Sequence, residues 1–281
     1  MTLAAAANTI NLLPGVWDAP GIRPMNQLFA FDEVAELYDA HRAAYPPALI
    51  DDVIAAADLM ADDALLEVGC GTGQATEAFA RRGYDIVAVE PGPELARVAR
   101  RRLAAWPNAA VVETRFEDWR METGVFRAVI AAQSWHWVAP DIRFAKAAQA
   151  LTPGGVLAVF GHVPMAPPPR IAAAFVPVFA RLAPELWVPP AEHWYLPDGP
   201  LPDLFTESGL FWPVVHKAYG WSVTRTAAGL ADYLRTTSPY QRLSAARREA
   251  LLEALAGAVE AAGGRFEQRW ETHLHMARRS G

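Results

Sequence analysis

The chain has 281 residues, a formal net charge of -6 at pH 7 and a single cysteine, Cys70. The acidic balance excludes an extended nucleic-acid-binding face, which needs a basic stripe, and one cysteine excludes an internal disulfide. No uninterrupted apolar run reaches membrane-spanning length, so the reading is of a cytoplasmic protein with no membrane partner, either one elaborated domain or a domain with a cap. Residues 1–30 read as a flexible N-terminal segment, whose start is too poor in basic residues for a signal peptide.

In chain order, residues 31–38 and 47–58 have helical spacing and precede the first strand, which ends at Gly69. That strand runs into Gly69-Cys70-Gly71-Thr72-Gly73-Gln74, a glycine loop opening a helix that stops at Gly83. Residues 84–90 form a second apolar strand ending in Glu90, and 94–105 a helix with an arginine-rich face. Strands at 109–113 and 126–132, a helix at 142–151 and a strand at 155–160 follow. The βαβα alternation with near-continuous apolar strands implies a parallel sheet covered by helices on both faces, with a ligand at the strands' C-terminal edge. Prolines then crowd residues 164–202, among the aromatics Phe175, Phe179, Trp187, Trp194 and Tyr195, and read as a cap over the site. Residues 214–221 and 267–277 alternate like antiparallel edge strands, with helices at 227–235 and 245–262 between them. The expected organisation is 31–162 as core with a helical lid, 163–210 as cap, and 211–281 completing the sheet.

The glycine loop accepts a nucleotide-like ligand, because backbone without Cβ approaches it closely and the helix presents unpaired N–H groups. Glu90, at the end of the next strand, stands where a ribose diol is gripped. Two residues argue against a dinucleotide. The loop reads G-x-G-x-G followed by Gln74, where the dinucleotide fingerprint places a later glycine, and Glu67 at its mouth repels a pyrophosphate but suits an ammonium. Glu67 bonding its own loop amides is the competing reading.

Through Glu67-Val68-Gly69-Cys70-Gly71-Thr72-Gly73 and Val87-Ala88-Val89-Glu90-Pro91 the chain resembles the class I S-adenosylmethionine-dependent methyltransferases, from about Phe31 to the C-terminus. Tyr38-Asp39-Ala40-His41-Arg42-Ala43-Ala44-Tyr45-Pro46 is similar to the segment that opens their small-molecule, ubiquinone-biosynthesis-like branch. The resemblance implies an α/β, Rossmann-like, seven-stranded and mostly parallel sheet with an antiparallel terminal hairpin. It also implies S-adenosylmethionine as cofactor, held by Glu67, Gly69, Cys70, Gly71, Thr72, Gly73, Gln74, Glu90, Pro91 and Gln133. Tyr38, Arg42 and Tyr45 share one face if their segment is helical; the resemblance implies that Arg42 meets the methionine carboxylate and the tyrosines close over it, against a surface ion pair of Arg42 with Asp39 or Glu36. An acidic residue after the third strand accepts the adenine amino group in such enzymes, which points to Glu117, with Asp118 competing for the role and helix capping open to either.

After the fourth strand stands Gln133-Ser134-Trp135-His136-Trp137. It lacks the Asn/Asp-Pro-Pro-aromatic motif of base N-methylating enzymes and an acidic set for magnesium, which favours a small organic acceptor and a metal-independent displacement. Trp135, His136 and Trp137 are expected to wall the acceptor pocket, with His136 as candidate general base and His162, Trp194, Tyr195, Tyr233 and Tyr240 as further acceptor contacts. His273 and His275 alternate on one strand face and read as packing. Two other readings stand beside methyl transfer: a redirected S-adenosylmethionine reaction such as cyclisation releasing methylthioadenosine, and an NAD-dependent oxidoreductase, which Gln74 and Glu67 disfavour. Monomer and homodimer are both compatible with the sequence.

Overall fold

The computed structural model describes residues 31–186 and 191–280; the N-terminal segment 1–30 and Trp187 lie outside the described residues. In chain order the elements are α1 (Ala35–His41), α2 (Pro47–Ala57), β1 (Ala64–Val68), α3 (Gln74–Ala80), β2 (Asp85–Glu90), α4 (Pro93–Arg102), β3 (Ala109–Glu113), β4 (Phe126–Ala132) and α5 (Arg143–Ala150). There follow β5 (Leu151–Pro164), α6 (Pro169–Leu182), α7 (Leu201–Glu207), β6 (Val215–Thr226), α8 (Ala227–Arg235), α9 (Ser238–Gln241), α10 (Ala245–Ala261) and β7 (Arg265–Arg278).

The strands form one sheet in the order β3-β2-β1-β4-β5-β7-β6. Every pairing from β3 to β5 is parallel, whereas β7 is antiparallel to both β5 and β6. Alternate residues point to opposite faces of a strand, and both faces are apolar here. Leu66, Val68, Val129 and Leu157 join one core cluster, and Leu65, Ile130, Val156 and Phe160 another. The chain leaves β1 for β2 on one side and returns to β4 on the other, so a crevice opens at the C-terminal ends of β1 and β4, where the strand order reverses.

Four differences from the sequence reading have local causes. Helix α1 runs to His41, past the expected end at residue 38, and Arg42 is extended at ψ 129°; Tyr45, which precedes Pro46, is kept out of the helical region, so the face that Tyr38, Arg42 and Tyr45 would share in a helix does not form. Strand β5 starts at Leu151 rather than 155, with a register shift at Phe126/Ala128. The terminal hairpin β6–β7 is also longer than its alternation indicated. The proline-crowded region holds the helix α6, with Pro169 at its first turn and Pro177 inside it. Phe175 and Phe179 of that helix pack with Leu251, Leu252 and Leu255 of α10 and are not among the residues lining the crevice.

The N-terminal helix is tied to α4. Asp32 Oδ1 accepts the N–H groups of Glu94 and Leu95, both at 3.1 Å, supplying the cap that the first turn of α4 needs. Glu36 pairs with Arg97 and Arg101, and Asp39 with Arg102. These pairs occupy both carboxylates that were alternative partners for Arg42.

Candidate active site

A cleft with about 1220 Å³ of empty space, part of it open to solvent, lies over the ends of β1 and β4. Its floor is the glycine loop. Gly69 has φ +70°, and a Cβ there would sit 2.6 Å from Cβ of Ser134, so no other residue fits between β1 and the turn after β4. The Ser134 hydroxyl donates to the Val68 carbonyl, which fixes that approach. Gly71 lines the cleft, also at positive φ. Thr72 and Gly73, expected at the ligand, are not among the lining residues. Thr72 is buried, and its carbonyl accepts from Arg102, while Gly73 precedes α3 and faces Ala99, Arg102 and Leu103 of the neighbouring helix and turn. Both serve the loop's shape.

Two buried carboxylates face the cleft from adjacent strands. Glu90 accepts the N–H of Gly71 at 2.8 Å on one oxygen and that of Gly92 at 2.9 Å on the other, and each oxygen keeps a second lone pair. Burial raises its pKa to about 7 against these two hydrogen bonds. Glu67 accepts from the Thr76 hydroxyl at 2.5 Å. Its own burial, reinforced by the charge of Glu90, raises it to about 8. Its partner is thus a threonine side chain, not the loop amides. Cys70 lines the cleft beside them, its thiol pushed up by burial.

Tyr38, Arg42 and Tyr45 meet at the cleft although they share no helix face. Arg42 lies 4.6 Å over the Tyr38 ring and donates to the Thr236 carbonyl at 2.5 Å. Thr237 and Ser238, next in chain, also line the cleft; nothing in the local pattern around them announced it. On the opposite wall Glu117 lines the cleft and Asp118 is exposed and does not, which removes Asp118 as its competitor. The Ala139 N–H, at 2.9 Å, and Arg115, at 3.3 Å, both reach Oε1 of Glu117.

Gln133, after β4, has φ +56°, a strained backbone for a non-glycine residue. Its N–H donates to the Phe160 carbonyl at 2.8 Å, and its side chain lines the cleft. The next turn splits the tryptophans. Residues Trp135–Trp137 form one 3-10 turn that buries Trp135 completely, edge-on to Phe144, and leaves His136 and Trp137 on the cleft. Trp135 is therefore core, not pocket wall. His136 Nδ1 lies 3.1 Å from the Tyr195 hydroxyl, and Tyr195 also lines the cleft.

The remaining expected acceptor contacts are elsewhere. His162 is buried under Tyr45, with Nδ1 2.8 Å from the Thr272 hydroxyl, and burial lowers it to about 4; it is a neutral packing residue. Trp194 packs on Arg143 behind His136, Tyr240 lies in the cluster with α10, and Tyr233 stands behind Arg42. None of the four lines the cleft. His273 shares a hydrogen bond with His216 at 2.9 Å, and His275 Nε2 donates to the Tyr195 carbonyl at 2.8 Å. Among the described residues no group of three or more His, Cys, Asp or Glu is placed to hold a metal ion, and no helix is long and apolar enough to cross a membrane.

Residues 65–155 match the family model of the methyltransferase domain. An uncharacterized methyltransferase of Mycobacterium tuberculosis is 36% identical over 128 residues, 46% of this chain and 50% of that protein. The ubiquinone biosynthesis O-methyltransferase of Xanthomonas campestris is 34% identical over 146 residues, 50% of this chain and 53% of that protein. The chain thus spans about half the length of the curated relatives it matches. Among solved structures, a protein of Anaeromyxobacter dehalogenans for which type II methyltransferase activity has been proposed has a TM-score of 0.60 at 23% identity, over 84% of this chain and 97% of that one. At these identities the likeness is one of fold.

Proposed function

We propose, with residues 65–155 as the methyltransferase domain, that the protein transfers the methyl group of S-adenosylmethionine to a small organic acceptor. The observation that carries this reading is the pair of buried carboxylates, Glu67 and Glu90, that flank a glycine loop held open by Gly69. The free lone pairs of Glu90 accept the two ribose hydroxyls. Glu67 meets the ammonium of the methionine arm, whose carboxylate lies at Arg42 under Tyr38 and Tyr45. Glu117 takes the adenine amino group through Oε2, and Gln133 stands beside the sulfonium. When bound, the cofactor supplies a methyl carbon on a positively charged sulfur that leaves as a neutral thioether.

The protein's remaining task is to align the acceptor and exclude water. An acceptor lone pair held in line with that methyl carbon would displace the thioether, the carbon–sulfur electron pair leaving with sulfur, so the chain's own part is to fix the acceptor in that line. If the attacking atom carries a proton, His136 takes it, its ring oriented by the contact of Nδ1 with the Tyr195 hydroxyl. Tyr195→Phe is expected to lower kcat about tenfold and leave cofactor affinity unchanged, measured by turnover against S-adenosylhomocysteine titration; equal kcat would remove Tyr195 as a positioning residue.

Affinity has a pH signature. Glu67 near 8 and Glu90 near 7 hold protons in the free protein at neutral pH, and a cation beside Glu67 and hydroxyl donors at Glu90 favour the ionised forms. Binding therefore releases protons, and affinity rises with pH from 6 to 8, by up to tenfold per unit for each proton released. Calorimetry of S-adenosylmethionine in buffers of differing ionisation enthalpy reads this release. Titration of S-adenosylmethionine, S-adenosylhomocysteine and NAD tests the cofactor itself: the first two bind and NAD does not, whereas tight NAD binding alone would replace this reading with an oxidoreductase.

A further inference from the structure

Strand β6 is an edge strand whose alternate residues Tyr219, Trp221, Val223 and Arg225 are more covered than those between them. The last of these inward positions holds a guanidinium where an apolar side chain is the ordinary choice. Arg225 is 9% exposed, and its Nε is buried without a hydrogen-bond partner. Among the described residues it has no carboxylate partner and no side-chain hydrogen bond; its neighbour is the Tyr233 ring, 4.4 Å from the guanidinium carbon.

Arg42 also lies against Tyr233, at 5.3 Å, and Arg42 lines the cleft. Two cations thus flank one tyrosine, which stands behind Arg42 and outside the cleft's own lining. Burial and the charge of Arg42 both push Arg225 below the ordinary arginine range. A cation–π contact does not replace the hydration lost by a buried guanidinium, and a buried charge of this kind calls for an anion. In the reading above, Arg42 is occupied by the cofactor's carboxylate, which leaves Arg225 to be satisfied.

We infer that the acceptor carries a carboxylate and that Arg225, reached past Arg42 and Tyr233, is the residue that selects it. The inference rests on the methyltransferase reading. A guanidinium meets a carboxylate through two parallel N–H donors, and the aromatic walls Tyr45, Trp137 and Tyr195 cover the rest of such a molecule without competing charge.

The test uses the full chain loaded with S-adenosylhomocysteine, titrated with benzoate, cinnamate and succinate and with the amide of each, followed by tryptophan fluorescence. At least one carboxylate is expected to bind tenfold or more tightly than its amide. Arg225→Met is expected to erase that preference while S-adenosylhomocysteine affinity stays within twofold and the melting temperature does not fall, since the variant removes a buried cation with no carboxylate partner. Arg225→Lys keeps the charge without the fork, and retains a preference reduced only about twofold to threefold, which serves as the readout should the methionine variant fail to fold. Binding of S-adenosylhomocysteine without preference for any carboxylate, or a preference that survives Arg225→Met, overturns this inference alone. Failure of S-adenosylhomocysteine to bind the unaltered protein overturns the cofactor reading and this inference with it.

Discussion

Glu90→Ala is expected to weaken S-adenosylmethionine binding by at least 100-fold while the protein remains folded. The carboxylate is buried at the end of β2, with the Gly71 and Gly92 N–H groups each taking one oxygen. What remains are two lone pairs directed at the cleft, and two hydroxyl bonds to an ionised acceptor amount to about 3 kcal/mol or more. Removing the side chain also leaves the two glycine N–H groups without their acceptor, which loosens the loop that forms the floor. Against this, a carboxyl pushed up to about 7 by burial is itself an unfavourable element of the free protein near neutral pH, so its loss does not unfold the chain. Calorimetric titration and a melting curve on the same sample separate the two effects. Unchanged affinity in a folded variant would mean that the ribose is held elsewhere.

Trp135→Ala acts on stability and spares the ligand. The side chain is fully buried in the core cluster on one face of the sheet, edge-on to Phe144 at 5.4 Å. Truncation leaves a cavity beneath the turn that follows β4, and substitutions of this kind cost about 3–5 kcal/mol. The neighbouring Trp137→Ala is expected to have the opposite profile, a change below about 1 kcal/mol in stability with weakened binding, because its ring lines the cleft. Denaturant midpoints for the two variants, paired with titration of carboxylic-acid acceptors into the S-adenosylhomocysteine complex, check both profiles. Similar stability losses in the two would place both rings in the core.

The parts of the fold visible in the sequence are those set by local chemistry. Gly69, Gly71 and Glu90 declare themselves because only glycine adopts the backbone the loop requires and because the acid falls at a strand end. The parallel strands show as apolar runs because both of their faces are buried. The Tyr45-Pro46 pair carried the signal that the helix does not reach Tyr45, but the i, i+4, i+7 spacing of Tyr38, Arg42 and Tyr45 competed with it; the three converge through an extended segment instead. Trp135 and Trp137 look equivalent on the page, and only the 3-10 turn, which follows from the strained Gln133 and the Ser134–Val68 contact, sends one inward and the other outward. Thr237 and Ser238 reach the cleft through a contact with Arg42 that spans most of the chain, and Arg225 looks like an ordinary strand arginine until β6 finds its place at the sheet edge. Such long-range placements leave no trace in local spacing.

We propose that the cleft over β1 and β4 delivers a methyl group to a second molecule. The most direct test is incubation with S-adenosylmethionine labelled in the methyl group, together with a panel of small carboxylic acids and their amides, followed by mass spectrometry of every product. The predicted result is label on an acceptor with an equal amount of S-adenosylhomocysteine, both abolished in Glu90→Ala. Methylthioadenosine released at the same rate with and without acceptor, and no label on any of them, would contradict it.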